Sequence, residues 1–329
     1  MSEISLAVAG LGYWGPNLAR NVAAVAGARL TWCCDVDEGA RERAAAVSGG
    51  ARMSASLEEA LADPSLDGVL IATPVGTHAD VAVAVLEAGK HCFVEKPLAG
   101  SVADAQRVLD AAGESGRVLM VGHLLEYHPA VLALARLIAD GELGYLHYIY
   151  SKRLNLGQLR SDENALWSLG AHDVAVILGL VGAEPVELEA RGACYMRPGI
   201  EDVVFAFMRF ESGLAAHLHL SWLDPHKERR LTVVGSRRMA TFDDMELERK
   251  LTVYDKGFDE RADSWGEYIA RSGASESPRV PSTEPLRLEV EHFVECIREG
   301  RVPRSDGESG LRVVRVLARL QDSLEASRA

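Results

Sequence analysis

The chain has 329 residues, of which 48% are hydrophobic and 25% charged, and a formal net charge of −13. Its length favours two domains of roughly 150 residues each, and the composition is that of a globular protein. An acidic surface repels phosphate backbones and anionic membranes, and no basic run interrupts it, so nucleic acid and membranes are not expected partners.

Strand-length apolar runs alternate with helical patterns over the first 122 residues, which is typical of βαβ units. The predicted strands are Ile4–Ala9, Ala28–Cys34, Gly68–Thr73, His91–Val94 and Val118–Val121. The predicted helices are Pro16–Val25, Glu38–Val47, Thr77–Ala88 and Val102–Glu114. This alternation predicts an α/β protein whose residues 1–122 form a doubly wound parallel sheet of the Rossmann type.

After Gly122 the pattern changes to a run of strands. Helices are predicted at Ala130–Ala139 and Glu163–Leu180, with a strand at Leu146–Leu154 between them. Further strands are predicted at Val186–Tyr195, Val203–Phe210, Ala215–Trp222, Arg230–Val234 and Met239–Phe242. The stretch Ser272–Glu284, rich in Ser and Pro, predicts a surface loop, and helices are expected at Arg287–Arg298 and Glu308–Glu325. Residues 123–329 are therefore predicted to form an α+β domain with a large, mainly antiparallel open sheet. Packing of the last helices on the first domain is left open as an alternative.

A glycine motif directly follows the first strand. Its first glycine permits a tight turn, its second lets the backbone approach a pyrophosphate, and its third lets the helix pack on the strand. A carboxylate ends the next strand, where it accepts from both ribose hydroxyls of NAD and repels the 2′-phosphate of NADP. The residues predicted at the cofactor here are Gly10, Gly12, Tyr13, Trp14, Gly15 and Asp35. NAD is therefore favoured over NADP.

Two further segments lie where predicted strands end, and ligands of open parallel sheets bind at that edge. The first segment supplies Thr73, Pro74 and His78, although His78 can equally be a solvent-facing residue of a helix start. The second supplies Glu95, Lys96 and Pro97. All six are predicted to line the cofactor site, and Lys96 brings an ammonium group to it.

These motifs, together with His172 in a later helix, resemble the glucose-fructose oxidoreductase and inositol dehydrogenase family, often called Gfo/Idh/MocA. The resemblance spans nearly the whole chain. It implies a catalytic lysine at Lys96, commonly followed by a cis proline, and a helix carrying an Asp-x-x-x-His pair. His172 matches the histidine of that pair, whereas Ser168 stands where the family usually has the aspartate.

The serine changes what this pair can do. Residues four apart share one helical face, so Ser168 can hydrogen-bond near His172, but it cannot supply the negative charge that stabilises an imidazolium. Asp173 points about 100° away on an ideal helix. The resemblance nevertheless implies that many relatives work with the lysine and the histidine alone.

Oxidation of a secondary alcohol requires a hydride acceptor, a base for the hydroxyl proton and a group that stabilises the developing oxyanion. Lys96 and His172 are the candidate catalytic residues. An ammonium can donate to the oxygen, and an imidazole, which titrates near neutral pH, is the better general base.

A polar segment between a predicted strand and the His172 helix is expected to line the substrate site. It offers guanidinium groups for bidentate hydrogen bonds and an indole face for a sugar ring. The predicted substrate-binding residues are Lys96, Arg153, Asn155, Arg160, Asn164, Trp167, Ser168 and His172. This stretch is similar to the subgroup acting on nucleotide sugars such as UDP-N-acetylglucosamine, oxidising carbon 3. For any single side chain here, a solvated connecting loop is the alternative.

The sequence thus predicts an NAD-dependent sugar or nucleotide-sugar dehydrogenase. Alternatives are a ketosugar reductase, an inositol or sugar dehydrogenase acting on a free sugar, a non-catalytic NAD or sugar sensor, and NAD-assisted glycoside cleavage. His217 and His219 share a strand face but lack a third ligand, so sheet-face or interface packing is favoured and no metal is expected. Tyr127 and His128 either approach the nicotinamide or pack at the domain junction.

Five scattered cysteines without a C-x-x-C pair predict free thiols in a reducing compartment. The chain start has no basic signal-peptide region, and the apolar stretch Val174–Val181 is shorter than the ~20 residues that cross a bilayer. A cytoplasmic location is expected. The exposed face of the C-terminal sheet predicts a homodimer or homotetramer.

Overall fold

The computed structural model describes residues 3–157, 159–161, 163–260 and 268–327. These residues form two compact units. The first contains the residues up to Tyr127 together with Thr283–Arg315, and the second contains His128–Ser282 and the residues from Val316 onward. The domain boundary predicted after residue 122 refers to domains that fold independently. The division into compact units does not test it, and it stays a prediction.

The first unit is built on a six-stranded sheet. Its strands are β1 (Ile4–Ala9), β2 (Ala28–Cys34), β3 (Arg52–Ser54), β4 (Gly68–Ile71), β5 (His91–Glu95) and β6 (Leu119–Gly122). All pairs are parallel, in the order β3-β2-β1-β4-β5-β6. The order reverses direction between β1 and β4, so the carboxyl ends of these two strands flank the topological switch point at which open α/β sheets bind ligands.

Helices connect these strands. They are α1 (Gly15–Ala24), α2 (Glu38–Ala45), α3 (Leu57–Leu61), α4 (Val75–Glu87) and α5 (Val102–Ser115), followed by a short 3-10 helix, Leu124–Tyr127. Side chains on both faces of the sheet are buried, and Leu6, Ala7 and Val8 are 0% exposed. Continuous apolar strands of this kind are expected where helices cover both faces of a parallel sheet.

The second unit is built on an eight-stranded sheet. The elements are α6 (Pro129–Ala139), β7 (Leu146–Leu156), a π-helix (Leu166–Gly170), α7 (Ala171–Val181), β8 (Glu187–Ala193), β9 (Val203–Arg209), β10 (Ala215–Ser221), β11 (Leu223–Gly235), β12 (Met239–Asp243), β13 (Leu251–Glu260) and β14 (Tyr268–Glu276). The order is β14-β13-β12-β11-β7-β10-β9-β8, and every pair except β10 with β7 is antiparallel. The predicted combination of a Rossmann sheet with a mainly antiparallel open sheet is confirmed.

Buried and exposed side chains alternate along β9, which shows that one face of this sheet is covered. Val204, Ala206 and Met208 are buried, whereas the residues between them, including Phe205 and Phe207, are exposed. A strand with this period of two has one face on the core and one toward solvent.

Two helices close the chain, α8 (Pro285–Glu299) and α9 (Gly307–Ala326). Helix α8 belongs to the first unit, where Phe293 meets Phe93 of β5 edge-on with ring centroids 5.8 Å apart. Helix α9 contributes residues up to Arg315 to the first unit and those from Val316 to the second. Among the described residues, no helix combines the length and apolarity needed to cross a membrane.

Two element predictions are wrong in detail. The first five residues of the predicted loop Ser272–Glu284 belong to β14, which pairs with β13. A polar edge strand has no buried apolar face, so its hydrophobic period is absent and only the partner strand reveals it. The predicted helix Glu163–Leu180 is a π-helix followed by α7, and its start lies nearer to Leu166.

Candidate active site

The glycine motif forms a tight turn between β1 and α1. Gly10 has φ +88°, and a Cβ on it would lie 2.6 Å from the backbone of Ala72 and Thr73. A Cβ on Gly15 would lie 1.9 Å from the carbonyl oxygen of Gly10. A Cβ on Gly12, by contrast, would meet no described atom within 4 Å. The turn therefore needs its first and third glycines for its own geometry, while the second leaves the backbone open to a ligand.

Asp35 follows β2 and faces this turn. Its Oδ2 accepts a hydrogen bond from the backbone N–H of Leu11 at 2.6 Å, and its Oδ1 accepts from the N–H of Asp37 at 2.9 Å. Arg41 donates to the carbonyl oxygen of Asp35 at 2.6 Å. The carboxylate is thus fixed beside the glycine turn, where the sequence predicts the ribose site.

His78 connects two segments of the predicted cofactor edge. Its Nδ1 lies 2.9 Å from the carbonyl oxygen of Pro97, and its Nε2 lies 2.9 Å from that of Thr73. The side chain is 1% exposed, and burial lowers its pKa, which favours the neutral ring. A neutral imidazole donates through one nitrogen only. The neutral ring can therefore donate to only one of these two carbonyl oxygens, and neither nitrogen projects into solvent toward a cofactor.

The structure brings Glu95 and Lys96 to the glycine turn. Trp14 Nε1 donates to Glu95 Oε1 at 2.5 Å, and the backbone N–H of Lys96 donates to Oε2 at 3.3 Å. The Lys96–Pro97 peptide bond is cis, as the family resemblance implies. Tyr13 is 91% exposed at the tip of the same turn, and Pro74 is the N-cap of α4.

The absence of a side chain at Gly122 leaves space for the Glu95 carboxyl group. These two residues pair across β5 and β6, and a Cβ on Gly122 would lie 3.0 Å from Glu95 Oε2. Burial raises the pKa of Glu95 to about 7, although the Lys96 charge and the Trp14 hydrogen bond both oppose the rise. A carboxyl group that changes charge near neutral pH therefore lies between the glycine turn and Lys96.

Three polar residues near this edge, the buried His123 and Glu289 and the half-buried Glu126, were not singled out from the sequence. Burial raises the pKa of Glu126 to about 8 and that of Glu289 well above its ordinary value, and lowers that of His123 to about 3. The sequence could have identified one of the three, Glu289, because it lies on the apolar face of α8 between Leu286 and Phe293. A charged residue on a core-facing stripe indicates a buried group with a specific role.

In the second unit, the predicted histidine lies in the first turn of α7. Ser168 lies four residues earlier in the π-helix, and both side chains are half-buried. A separation of four is close to one turn in either helix type, so Ser168 and His172 stay on one side of the segment. Trp167, also half-buried, precedes them. π-helical turns are frequent at functional sites, which agrees with the role predicted for this segment.

Arg153 differs from its predicted role as a substrate contact. Its Nε and Nη2 donate to the two carboxylate oxygens of Asp173 at 2.8 and 3.0 Å, and Ser151 Oγ donates to Asp173 at 2.8 Å. Arg153 is 8% and Asp173 3% exposed. The guanidinium is thus engaged in a buried, bidentate ion pair that ties α7 to β7, next to His172.

Asn164 is also engaged internally. Its Nδ2 donates to Glu201 at 2.7 Å and to Gln321 at 2.9 Å, while its Oδ1 accepts from the backbone N–H of Trp167. The side chain is 8% exposed, so it caps the helical segment and does not face a ligand as predicted.

Asn155 and Arg160 keep some access to solvent. Asn155 is half-buried against Gly157, and Arg160 is exposed beside Glu163, with 3.4 Å between Nε and Oε1. The solvent-accessible candidates for a substrate in this unit are therefore Asn155, Arg160, Trp167, Ser168 and His172.

The residues of the first unit fit a dinucleotide. An open backbone position at Gly12 and a fixed carboxylate at Asp35 are the two features that its pyrophosphate and ribose require. The fold and this site define an NAD-binding oxidoreductase.

The chain belongs to the Gfo/Idh/MocA oxidoreductase family. The model of its N-terminal domain, described as an oxidoreductase family with an NAD-binding Rossmann fold, matches residues 4–123. The model of the Gfo/Idh/MocA C-terminal domain matches residues 131–241. The resemblance drawn from the sequence motifs is confirmed.

Several characterised proteins are similar over nearly the full length. UDP-N-acetylglucosamine 3-dehydrogenase of Acidithiobacillus ferrooxidans is 30% identical, with 99% of each chain covered. Its solved structure superposes with a TM-score of 0.84. The NAD-dependent scyllo-inositol 2-dehydrogenase of Bacillus subtilis is 28% identical over 92% of this chain and 88% of its own. A protein of gentamicin A biosynthesis, solved in complex with NAD, is 25% identical with a TM-score of 0.82, covering 99% of this chain and 95% of its own.

Proposed function

We propose that this protein is an NAD-dependent dehydrogenase that oxidises a secondary hydroxyl of a sugar, in the first instance carbon 3 of a nucleotide sugar. The observation that carries the proposal is the position of Lys96. The hydrogen bond between Trp14 and Glu95, at 2.5 Å, fixes the preceding residue to the glycine turn. An ammonium group is thereby held at the edge of the sheet where the dinucleotide binds.

Each catalytic residue has a defined task in this proposal. NAD, when bound, accepts the hydride. Lys96 donates a hydrogen bond to the substrate oxygen and stabilises the negative charge that develops there. His172 takes the hydroxyl proton as general base. The bidentate bond between Arg153 and Asp173 holds the first turn of α7 on β7, and so fixes the backbone that carries His172.

NAD is the proposed cofactor rather than NADP. The Asp35 carboxylate accepts from two backbone N–H groups at the end of β2, and its negative charge opposes a 2′-phosphate there. Arg41, the nearby cation, donates to the backbone carbonyl groups of Asp35 and Val36. Its guanidinium is therefore engaged within the protein.

A nucleotide sugar is the proposed substrate class because the 30% identical relative, covered over 99% of both chains, is a UDP-N-acetylglucosamine 3-dehydrogenase. The accessible side chains of the second unit suit such a molecule. Arg160 offers hydrogen bonds to hydroxyl or phosphate oxygens, and Trp167 offers an indole face to a sugar ring.

Self-association through the open face of the second sheet is also proposed. This face exposes Phe205 and Phe207 (53% and 38%), and His219 stacks on Phe205 with ring centroids 4.4 Å apart. Stacked rings on a broad exposed sheet face are typical of an interface between protein chains. Sedimentation equilibrium should show a dimer or tetramer, and a monomer at micromolar concentration would contradict the assignment.

A substrate screen tests the proposed function. The protein is incubated with NAD and, separately, with UDP-sugars, free hexoses and inositols, and the absorbance of NADH is followed. NADH should form with a nucleotide sugar at a kcat/KM at least about tenfold above that for any free sugar or inositol. A preference for inositol would overturn the substrate class, and NAD binding without NADH from any compound would favour a sensor.

A further inference from the structure

A half-buried carboxyl group, Glu95, and a buried one, Glu289, occupy one layer of the first unit. Phe93 and Glu95 are two residues apart on β5 and therefore point to the same face of the sheet. Glu289 and Phe293 are four residues apart on α8 and share one face of that helix. Because Phe93 and Phe293 are in contact, Glu95 and Glu289 both lie between the sheet and α8.

The two groups have different surroundings. Glu289 is 0% exposed, and neither of its carboxyl oxygens has a hydrogen-bond partner among the described residues. Burial raises its pKa well above the ordinary value, and Glu95 and Glu126 raise it further when they are ionised. Glu289 is therefore the neutral, protonated member of the layer.

Glu95 has the opposite balance. The Lys96 charge, the Trp14 indole N–H and the Lys96 backbone N–H all favour its ionised form, against the effect of burial. Glu126 differs from both, because the positive charges of Arg304 and Arg312 lower its pKa against the effect of burial. Of the three carboxyl groups, Glu95 alone hydrogen-bonds to the glycine turn on which a dinucleotide rests.

We propose that Glu95 is a cofactor-linked proton site: it releases its proton when NAD+ binds to the glycine turn and keeps it when NADH binds. Glu95 acts through Lys96 and Trp14 and is a positioning residue. Glu289 stays protonated in both states. Ionised Glu95 thus compensates the positive nicotinamide and holds Lys96 as an ammonium group when the oxidised cofactor is present.

The direction follows from electrostatics. Both cofactors bring the same negative phosphates, and only the ring of NAD+ is positive. Because a positive charge nearby favours a carboxylate, the pKa of Glu95 is lower with NAD+ than with NADH, and more protons are released. Because the pKa of Glu95 is about 7, a measurable fraction is protonated at neutral pH and available for release. The inference depends on the proposed cofactor but not on the proposed substrate.

Isothermal titration calorimetry of the full chain tests this without turnover. Binding of NAD+ and of NADH is measured at pH 7 in two buffers with different ionisation enthalpies, which gives the protons released. NAD+ should release about half a proton more than NADH. Between pH 6 and pH 8, NAD+ affinity should also rise by about three- to tenfold relative to NADH affinity. Equal proton release for both cofactors would overturn the proposal, whether or not the protein oxidises sugars.

Three isosteric variants identify the group. Glu95→Gln should abolish the difference between the cofactors, whereas Glu289→Gln should retain it because Glu289 is already neutral. Glu126→Gln is the matched control, since it removes a half-buried carboxyl group that does not bond to the glycine turn. Loss of the difference in either of these two variants, or its retention in Glu95→Gln, would refute the assignment.

A fourth variant covers the case in which Glu95→Gln fails to fold. Trp14→Phe removes a hydrogen bond that favours ionised Glu95, so its pKa should rise and the pH of largest release should move upward. An unchanged or lower pH would contradict the proposal.

Discussion

The glycine turn of the first unit and the stretch from Arg153 to His172 of the second were both predicted as binding regions, and they differ in what their residues do. At the turn, Gly10 and Gly15 are required by the backbone, and Asp35 faces the turn. In the second stretch, by contrast, two of the predicted substrate contacts, Arg153 and Asn164, are buried and hydrogen-bonded within the protein.

The difference teaches how each kind of site is encoded. A site made by backbone geometry depends on neighbours in sequence, so a short motif between a strand and a helix is enough to predict it. A site made by side chains depends on which partners the fold supplies. From the sequence, Arg153 is expected to bind a ligand. In the structure its Nε instead donates to Asp173 Oδ2 at 2.8 Å.

The largest effect is expected from a substitution that breaks the buried ion pair of the second unit. Arg153→Met leaves the Asp173 carboxylate buried without its cation and should lower the free energy of unfolding by about 3–5 kcal/mol. The double variant Arg153→Met with Asp173→Leu should lose clearly less, because no charge remains unpaired. Urea unfolding measures both values. If the single variant were as stable as the native chain, Arg153 would be free for a ligand after all.

The next effect separates two glycines of the same turn. Gly10→Ala places a Cβ 2.6 Å from the backbone at φ +88° and should cost about 2 kcal/mol or more of stability, with loss of NAD binding. Gly12→Ala meets no described atom within 4 Å, so stability should change by less than about 1 kcal/mol while NAD binding still weakens. Thermal unfolding and calorimetry measure the pair. Equal loss of stability in both variants would contradict the separate roles.

The smallest expected effect concerns cofactor choice. Asp35→Ala removes the predicted acceptor of the ribose hydroxyls and should weaken NAD binding by about tenfold, or roughly 1–2 kcal/mol. NADP binding should weaken less or improve, because the repulsion of its 2′-phosphate is lost. Calorimetry with both cofactors provides the comparison. An unchanged ratio of the two affinities would remove Asp35 from the specificity of the site.

Much of the fold could be predicted because its strongest signals are local. Continuous apolar strands and the glycine turn predicted the parallel sheet, and alternating strands predicted the open sheet. The short β3 was missed because only three residues mark it, and the polar edge strand β14 because it has no buried face. Strand β13 was missed because only its first residues, among them the buried Leu251 and Val253, alternate between buried and more exposed positions.

The residues of the candidate site that lie in short sequence motifs could be predicted, whereas contacts between residues distant in the sequence could not. The hydrogen bond from Trp14 to Glu95 joins residues 81 positions apart, and no local pattern announces it. Glu126 was missed because a carboxyl group on a helix is ordinarily solvated. The sequence did carry a signal for Glu289, since it lies on the core-facing stripe of α8, but that signal was not used. The cytoplasmic location, the domain boundary and the catalytic roles stay predictions.

The central claim is that Lys96 enables hydride transfer from a sugar hydroxyl to NAD. It is tested most directly by rapid mixing of NAD-loaded protein with the nucleotide sugar that the screen identifies, following NADH over a single turnover. Lys96→Ala should slow NADH formation by at least about a hundredfold while the cofactor remains bound. NADH formation at the native rate in this variant would contradict the account.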